Sequence, residues 1–312
     1  MKVTTLTLLT SLFSVGTVAA HPVDRFLEVG DDVSDDEKDE LLLRKILEDL
    51  PEPELKKYNP EPPPQRLRRQ LQEGANPEDV RLCEGTWCGS CSPCFCYTSD
   101  FQIALELYLK NPNANYPWGD IEDWCTGRVE NMGSAFRNAR NFNADISGWD
   151  TGRVVSFDNM FNGARSFNQP IGVWNTESSV NMDGMFHGAS DFNQPVGDWD
   201  VSKVEIMRNM FTRASSFNQP LENWDVRENH YFTSMFAYAE KFNQPLNGWG
   251  PQTMNVWFTS SMFYHANEFN QDLSMWNMNG VSIRLHAARK YCHLSRRLTC
   301  CLLRFLLYRT VI

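Results

Sequence analysis

The sequence lacks any run of eighteen apolar residues, so no segment reads as a membrane-spanning helix. It lacks a basic excess: 29 Lys and Arg stand against 39 Asp and Glu, a net charge of −10. Nucleic acid is therefore disfavoured as a partner, because phosphate binding needs a basic face. Histidine is scarce and scattered, at His21, His187, His230, His265, His286 and His293, and no H-E-x-x-H, G-x-S-x-G or phosphate-loop motif occurs. No N-x-S/T sequon is present either, so N-glycan attachment is not expected. No cofactor is implied and no catalytic residue stands out. What is there is an ordinary globular composition, 42% hydrophobic and 22% charged over 312 residues, enough for one or two domains with a sizeable core.

The chain opens like an export signal, residues 1–20. Lys2 supplies the positive start, Leu6 to Val18 is mostly apolar, and Val18 and Ala20 are small residues placed for cleavage after Ala20. This implies an oxidising, secreted or surface location for the rest. Residues 21–82 read as an acidic, Pro-rich pro-segment or stalk, mostly disordered. His21 to Pro64 holds fourteen acids and six bases, with one amphipathic helix expected from Ser34 to about Leu50 before a cluster of prolines. Arg66-Leu67-Arg68-Arg69 then fits a processing site for proteases that read clustered arginines; the alternative is a basic turn on a solvated surface.

Residues 83–118 form a Cys-rich N-terminal cap. Cys83, Cys88, Cys91, Cys94, Cys96 and Cys125 precede Cys292, Cys300 and Cys301. A zinc site at Cys88, Cys91, Cys94 and Cys96 is the weaker reading, since zinc ribbons use two separated C-x-x-C pairs. In an exported chain the first six are disulfide candidates, with the pairing left open. Phe101 to Leu109 is expected to be a helix capped by Asp100 and stopped near Asn111-Pro112, packed on the end of the next region of the chain.

Residues 119–281 repeat. Trp124, Trp149, Trp174, Trp199, Trp224 and Trp249 are each 25 residues apart, and Trp276 comes 27 later. Three residues before each Trp lies Ile121, Ile146, Ile171, Val196, Leu221, Leu246 or Leu273. Phe136, Phe161, Phe186, Phe211 and Phe236 form a second column, and Phe142, Phe167, Phe192, Phe217 and Phe242 a third; Phe263 and Phe269 are their shifted equivalents. A period of this length means a solenoid or a propeller, and a propeller blade needs a longer repeat. Leu221, Trp224 and Val226 match a short strand. Met207, Met210, Phe211 and Ala214, at i, i+3, i+4 and i+7, match a helical stripe. The expected fold class is α/β: a right-handed leucine-rich-repeat-like solenoid of about six 25-residue strand-helix repeats.

Asn143, Asn168, Asn193, Asn218, Asn243 and Asn270 recur beside the third Phe column, where a buried asparagine can satisfy backbone groups as a side-chain ladder. The residues just after the tryptophans, Asp150, Asn175, Asp200 and Asp225, are the ligand-face candidates. On a strand they would point outward about 4.8 Å apart, and the stacked carboxylates Asp150, Asp200 and Asp225 could hold Ca²⁺ or a basic ligand. The competing reading is a local turn bond from each Asp to the backbone two residues on, which needs no metal.

Blocks such as MFTRASSFNQPLENWDVRENHYFTSMF and MFHGASDFNQPVGDWDVSKVEIMRNMF make the stretch from Gly119 to about Val281 resemble the BspA-like leucine-rich-repeat surface proteins. The resemblance implies a secreted or surface-displayed solenoid with adhesive or recognition roles, and no catalytic residue. The pattern is broken by two extra residues near Trp257 to Ser261, and at Arg284 where Met is expected. Residues 282–312 carry seven bases and no acid and read as a basic tail or C-terminal cap helix. The functional expectation is a non-catalytic binding or adhesion scaffold for an extracellular protein or glycan. A secreted polysaccharide-active enzyme, using paired acids such as Asp198 and Asp200, and a structural wall or matrix component are the alternatives.

Overall fold

Each coil begins where the backbone N–H of a column Trp closes onto the carbonyl three residues earlier, Trp149 onto Ile146 and Trp199 onto Val196, both at 3.2 Å. The computed structural model describes residues 75–83, 94–250, 261–273 and 275–276, all within one unit spanning 60–312. Outside them lie the expected signal with Ala20, the stalk to residue 74 with Arg66, Arg68 and Arg69, Cys88 and Cys91, most of the insertion near Trp257, and the basic tail.

The N-terminal cap is built from β1 (Leu82–Cys83), β2 (Cys94–Phe95) and α1 (Thr98–Lys110). The two strands pair antiparallel, Leu82 opposite Phe95 and Cys83 opposite Cys94. Leu82 therefore belongs with the cap, as does the 3-10 turn Pro77–Asp79, although both fall in the stretch expected to be stalk. Disulfides join Cys83 to Cys96 and Cys94 to Cys125, and the second ties the cap to the first coil. The helix starts earlier than expected. Tyr97 is its N-cap and Asp100 sits inside the first turn, buried and accepting a hydrogen bond from Arg81 Nε at 3.2 Å. Asn111 ends it, its N–H on Leu107, and Pro112 cannot continue it. Phe101 of α1 meets Trp124 and Trp149 edge-to-face at 6.1 and 5.5 Å, so the helix covers the first coil with aromatic surface.

Successive coils lie parallel. Single parallel bridges join Asn131 to Ser156, Ser156 to Asn181, Asn181 to Ile206 and Ile206 to Tyr231. These positions fall seven residues after each Trp, not at the Leu-x-x-Trp-x-Val segment expected to be the strand. That segment is a turn, formally a 3-10 helix at Ile121–Asp123 and Ile171–Val173, because the Trp N–H is used within its own coil.

The expected helix of each repeat is also absent among the described residues, where α1 is the one α-helix. Around Phe186, alternate amides split their bonds. Met182, Gly184, Phe186 and Gly188 donate 24 residues forward, to Ile206, Arg208, Met210 and Thr212, at 2.7–3.0 Å. Met185, His187 and Ala189 between them donate three residues back. An α-helix would use every amide internally. Here half of them bind the next coil, and the local halves close consecutive β-turns. The turns 182–185 and 186–189 carry a left-handed third residue, as type II turns do. Ser134 and Asn138, Asn159 and Gly163, Gly184 and Gly188, Asn209 and Arg213, Ser234 and Tyr238 all have positive φ, between 53° and 74°. The apolar stripe at i, i+3, i+4 and i+7 survives because two four-residue turns place side chains inward at nearly the same spacing as a helix.

Inside, the aromatic columns run as ladders. Phe136, Phe161, Phe186, Phe211, Phe236 and Phe263 stack at 5.5–5.7 Å. Phe142, Phe167, Phe192, Phe217, Phe242 and Phe269 stack at 5.9–6.0 Å. Trp124 lies parallel to Trp149 at 6.1 Å and Trp224 to Trp249 at 6.1 Å. Burying each ring contributes up to about 3 kcal/mol against chain ordering. The indole N–H groups of the Trp column are satisfied too: Trp149 donates to Ile121 at 2.9 Å, Trp199 to Ile171 at 3.1 Å and Trp224 to Val196 at 3.0 Å. This bond links the Trp column to the aliphatic column that precedes it in sequence.

Candidate functional site

With the interior committed to packing, chemistry is left to the outward positions of each coil. Three sets matter: the asparagine ladder, the residues after each Trp, and the left-handed turn column.

The ladder is real in hydrogen-bond terms. Asn143 Oδ1 accepts the Asn168 N–H, Asn168 that of Asn193, Asn193 that of Asn218 and Asn218 that of Asn243, each at 2.9 Å. The next residue, a glutamine, adds a second rung: Gln194 Nε2 donates to the Asn168 carbonyl at 3.0 Å and Gln219 Nε2 to that of Asn193 at 2.9 Å. The asparagines are half-buried or exposed rather than buried, because the ladder runs along the surface of the stack. Their side-chain oxygens are occupied by the next coil. A third ladder joins the coils without having been expected. Thr126, Thr151 and Thr176, two residues after each Trp, donate to the carbonyls of Asp150, Asn175 and Asp200 at 2.9 Å. A column of Thr in a Trp-x-Thr register is the signal that marks it.

Asp150, Asn175, Asp200 and Asp225 occupy one column, the first three exposed and Asp225 half-buried. Each side-chain oxygen accepts the backbone N–H two residues on, from Gly152, Glu177, Ser202 and Arg227 at 3.0–3.3 Å. Ser202 Oγ donates to Asp200 as well, and this side-chain bond, then the backbone one, holds the Asp200 carboxyl below its ordinary range. Asp225 is lowered first by its side-chain bond from Arg227. Asp145, one turn away, is lowered by Ser147 in the same way. The local turn bond thus uses one oxygen of every member. Asn175 separates Asp150 from Asp200 by two coil steps, about 10 Å at 4.8 Å per step, too far to share an ion directly. Among the described residues, no three His, Cys, Asp or Glu converge as a metal-binding group.

The turn edge carries different chemistry. Two buried-edge charges meet at Asp183 and Arg208, where Arg208 Nη2 donates to Asp183 Oδ2 at 2.7 Å. Burial pushes the Asp183 carboxyl up, and Arg208 only partly opposes it. Further round the same turns stand Arg137, His187 and Arg213. His187 is half-buried, and its pKa is lowered to about 4, first by burial and then by Arg213 and Arg137. Arg213 lies 4.6 Å over the Tyr238 ring, and Tyr238 stacks on His265 at 4.9 Å and 2°. Hydrophobic spacing does not single these residues out, because a helix over the segment would scatter them. The column Ser134, Asn159, Gly184, Asn209, Ser234, rich in residues that tolerate positive φ, carries the signal of turns instead.

No helix among the described residues is long and apolar enough to cross a membrane. Neither a curated protein nor a solved structure matches the chain. A family model does, twice and with overlap, at residues 107–214 and 194–291, so that the matched stretch is more than half of the 312 residues and takes in the described coils. The chain belongs to the repeat family described as Mycoplasma protein of unknown function, DUF285.

Proposed function

We propose that this protein is a secreted or cell-surface solenoid of the BspA-like leucine-rich-repeat kind, acting as a non-catalytic scaffold that binds an extracellular protein or glycan. The observation that carries the reading is the division within each coil. The inward Trp and Phe columns and the asparagine ladder recur unchanged and the other inward positions stay apolar, while outward positions such as 213, 238 and 265 differ from coil to coil. A repeated frame with varied surface residues suits a recognition surface, because each coil can change its outer chemistry without disturbing its neighbours. The disulfides Cys83–Cys96 and Cys94–Cys125 support an oxidising location.

A polysaccharide-active enzyme would need one carboxyl of a pair kept protonated near neutral pH. In the pair Asp198 and Asp200, Ser202 drives Asp200 the other way. The test is retention of partners from extracellular material by the purified chain, run beside a glycan array and an assay for newly released reducing ends. Saturable retention without release is expected. Release of reducing ends, or no retention of any partner, overturns the reading.

A further inference from the structure

The surface charge of the coils is sorted by arc. Residues 120–128, 145–153, 170–178 and 195–203, the arc around each Trp, hold eight acids and three bases, a net of −5. Residues 137–141, 162–166, 187–191 and 212–216, the outer side of the turns in the same four coils, hold four arginines and one acid, a net of +3. The four are Arg137, Arg140, Arg165 and Arg213, all exposed, and the acid is Asp191. In a chain of net charge −10 this is a local reversal of sign.

The basic arc also has a shape. In the left-handed column, Asn138 and Arg213 bracket Gly163 and Gly188, whose φ values are +74° and +68°. A Cβ on Gly188 would meet nothing nearer than the Gly163 backbone at 3.8 Å, whereas one on Gly163 would meet Asn138 Oδ1 at 2.7 Å, so the coil of Gly188 carries an open dent beside Arg213. His187 precedes Gly188 in the chain, and the positive charges of Arg213 and Arg137 act on its ring. Beyond Arg213 the column continues as a stack, the Tyr238 ring lying against that of His265. Arg213 is held over Tyr238, which fixes its guanidinium at the edge of the dent.

We propose that this arc binds an anionic polysaccharide laid along the stack, with its sulfate or carboxylate groups on Arg137, Arg165 and Arg213 and its backbone over the dent at Gly188. The inference rests on the scaffold reading above and names its ligand class. Arginine suits both groups because its planar fork makes two parallel hydrogen bonds to either. The spacing favours a sparsely charged polymer. Coils advance about 4.8 Å each, whereas duplex DNA presents a charge every ~1.7 Å of its axis and would bring a broad polyanion against the acidic arcs.

The test is affinity electrophoresis and calorimetry of the full chain with kappa-carrageenan, a sparsely sulfated polymer, polygalacturonate, neutral dextran and a duplex oligonucleotide. Binding to kappa-carrageenan or polygalacturonate, weakened by salt, is expected, without binding to dextran or the duplex. The sulfated and carboxylated arms tell which anion is taken. Arg137→Glu with Arg213→Glu should weaken binding about tenfold or more, whereas Asp150→Lys with Asp200→Lys should leave it within about twofold. If the double reversal fails to fold, as read by near-UV circular dichroism, Arg165→Glu and the neutral, dent-filling Gly188→Asn are the tests, and each should weaken binding. Unchanged binding in these variants, equal binding of the oligonucleotide, or no binding of either polyanion overturns the proposal. A chain that ignores both polyanions yet retains another extracellular partner overturns only this inference; one that retains nothing sinks the scaffold reading with it.

Discussion

Two columns of the same coils obey opposite rules. The asparagine column, Asn143 to Asn243, is identical in every coil, whereas the left-handed column reads Asn138, Gly163, Gly188, Arg213, Tyr238, His265. Each asparagine oxygen accepts a backbone N–H from the next coil, so a changed side chain would strand a donor. The turn column is asked only for a positive φ, and its bonds to the next coil come from the backbone. Where the backbone does the joining, the side chain is released for other chemistry. Repetition in this protein marks positions that connect coils, and variation marks positions that face outward.

The comparison is broken most severely from within. Phe186→Ala removes a fully buried ring stacked on Phe161, Phe192 and Phe211. It should cost about 3–5 kcal/mol, read as a lowered urea midpoint, and a loss below about 1 kcal/mol would show that the rings do not hold the coils together. His187 comes next, because its neutral form is the one the fold accepts. Its folded pKa of about 4 lies below the ordinary 6.5, so the unfolded chain binds the extra proton first. Stability from this group is complete above pH 6.5, falls as pH drops towards 4, and changes no further below that. The whole span is of order 3 kcal/mol, and His187→Asn should remove that component from a plot of unfolding free energy against pH.

Asn193→Ala sharpens the comparison directly. It strands the Asn218 N–H and one Gln219 bond and should cost about 1–3 kcal/mol by thermal or denaturant unfolding. Arg213→Gly, in the other column, should change stability by no more than about 1 kcal/mol, with the sign towards stabilisation because glycine accepts φ +60° without strain. If the arginine change costs as much as the asparagine change, the distinction between connecting and outward positions fails.

Much of the fold is legible in the sequence. The 25-residue period, the three aromatic columns and the asparagine ladder come from counting, because a ladder repeats whatever it needs at every rung. The helix expected at Met207, Met210, Phe211 and Ala214 does not form, because hydrophobic spacing records which residues point inward, not how the backbone carries them there. Asn209 and Arg213, at the third positions of successive turns, hold that information, and only φ makes it plain. The lateral bridges at Asn131, Ser156 and Asn181 leave little trace, because a single bridge per coil demands no run of β-branched residues. Disulfide pairing is beyond reach of spacing alone. Cys94 meets Cys125 because the cap's second strand lies along the first coil, a contact across 31 residues of sequence. Among the outward residues, Asp150 and its equivalents share one column as expected, but the turn bond claims them, while Arg137, His187 and Arg213 are gathered by a turn geometry that periodicity does not reveal.

The asparagine rung has a further meaning. Because every coil receives from the one before it the same bond that it gives to the one after, removing one whole 25-residue unit from the middle leaves two ends that still match. Growth or shrinkage by complete units is then a neutral edit of the gene, and the reach of the molecule becomes a number that duplication can set independently of the chemistry written on its flank.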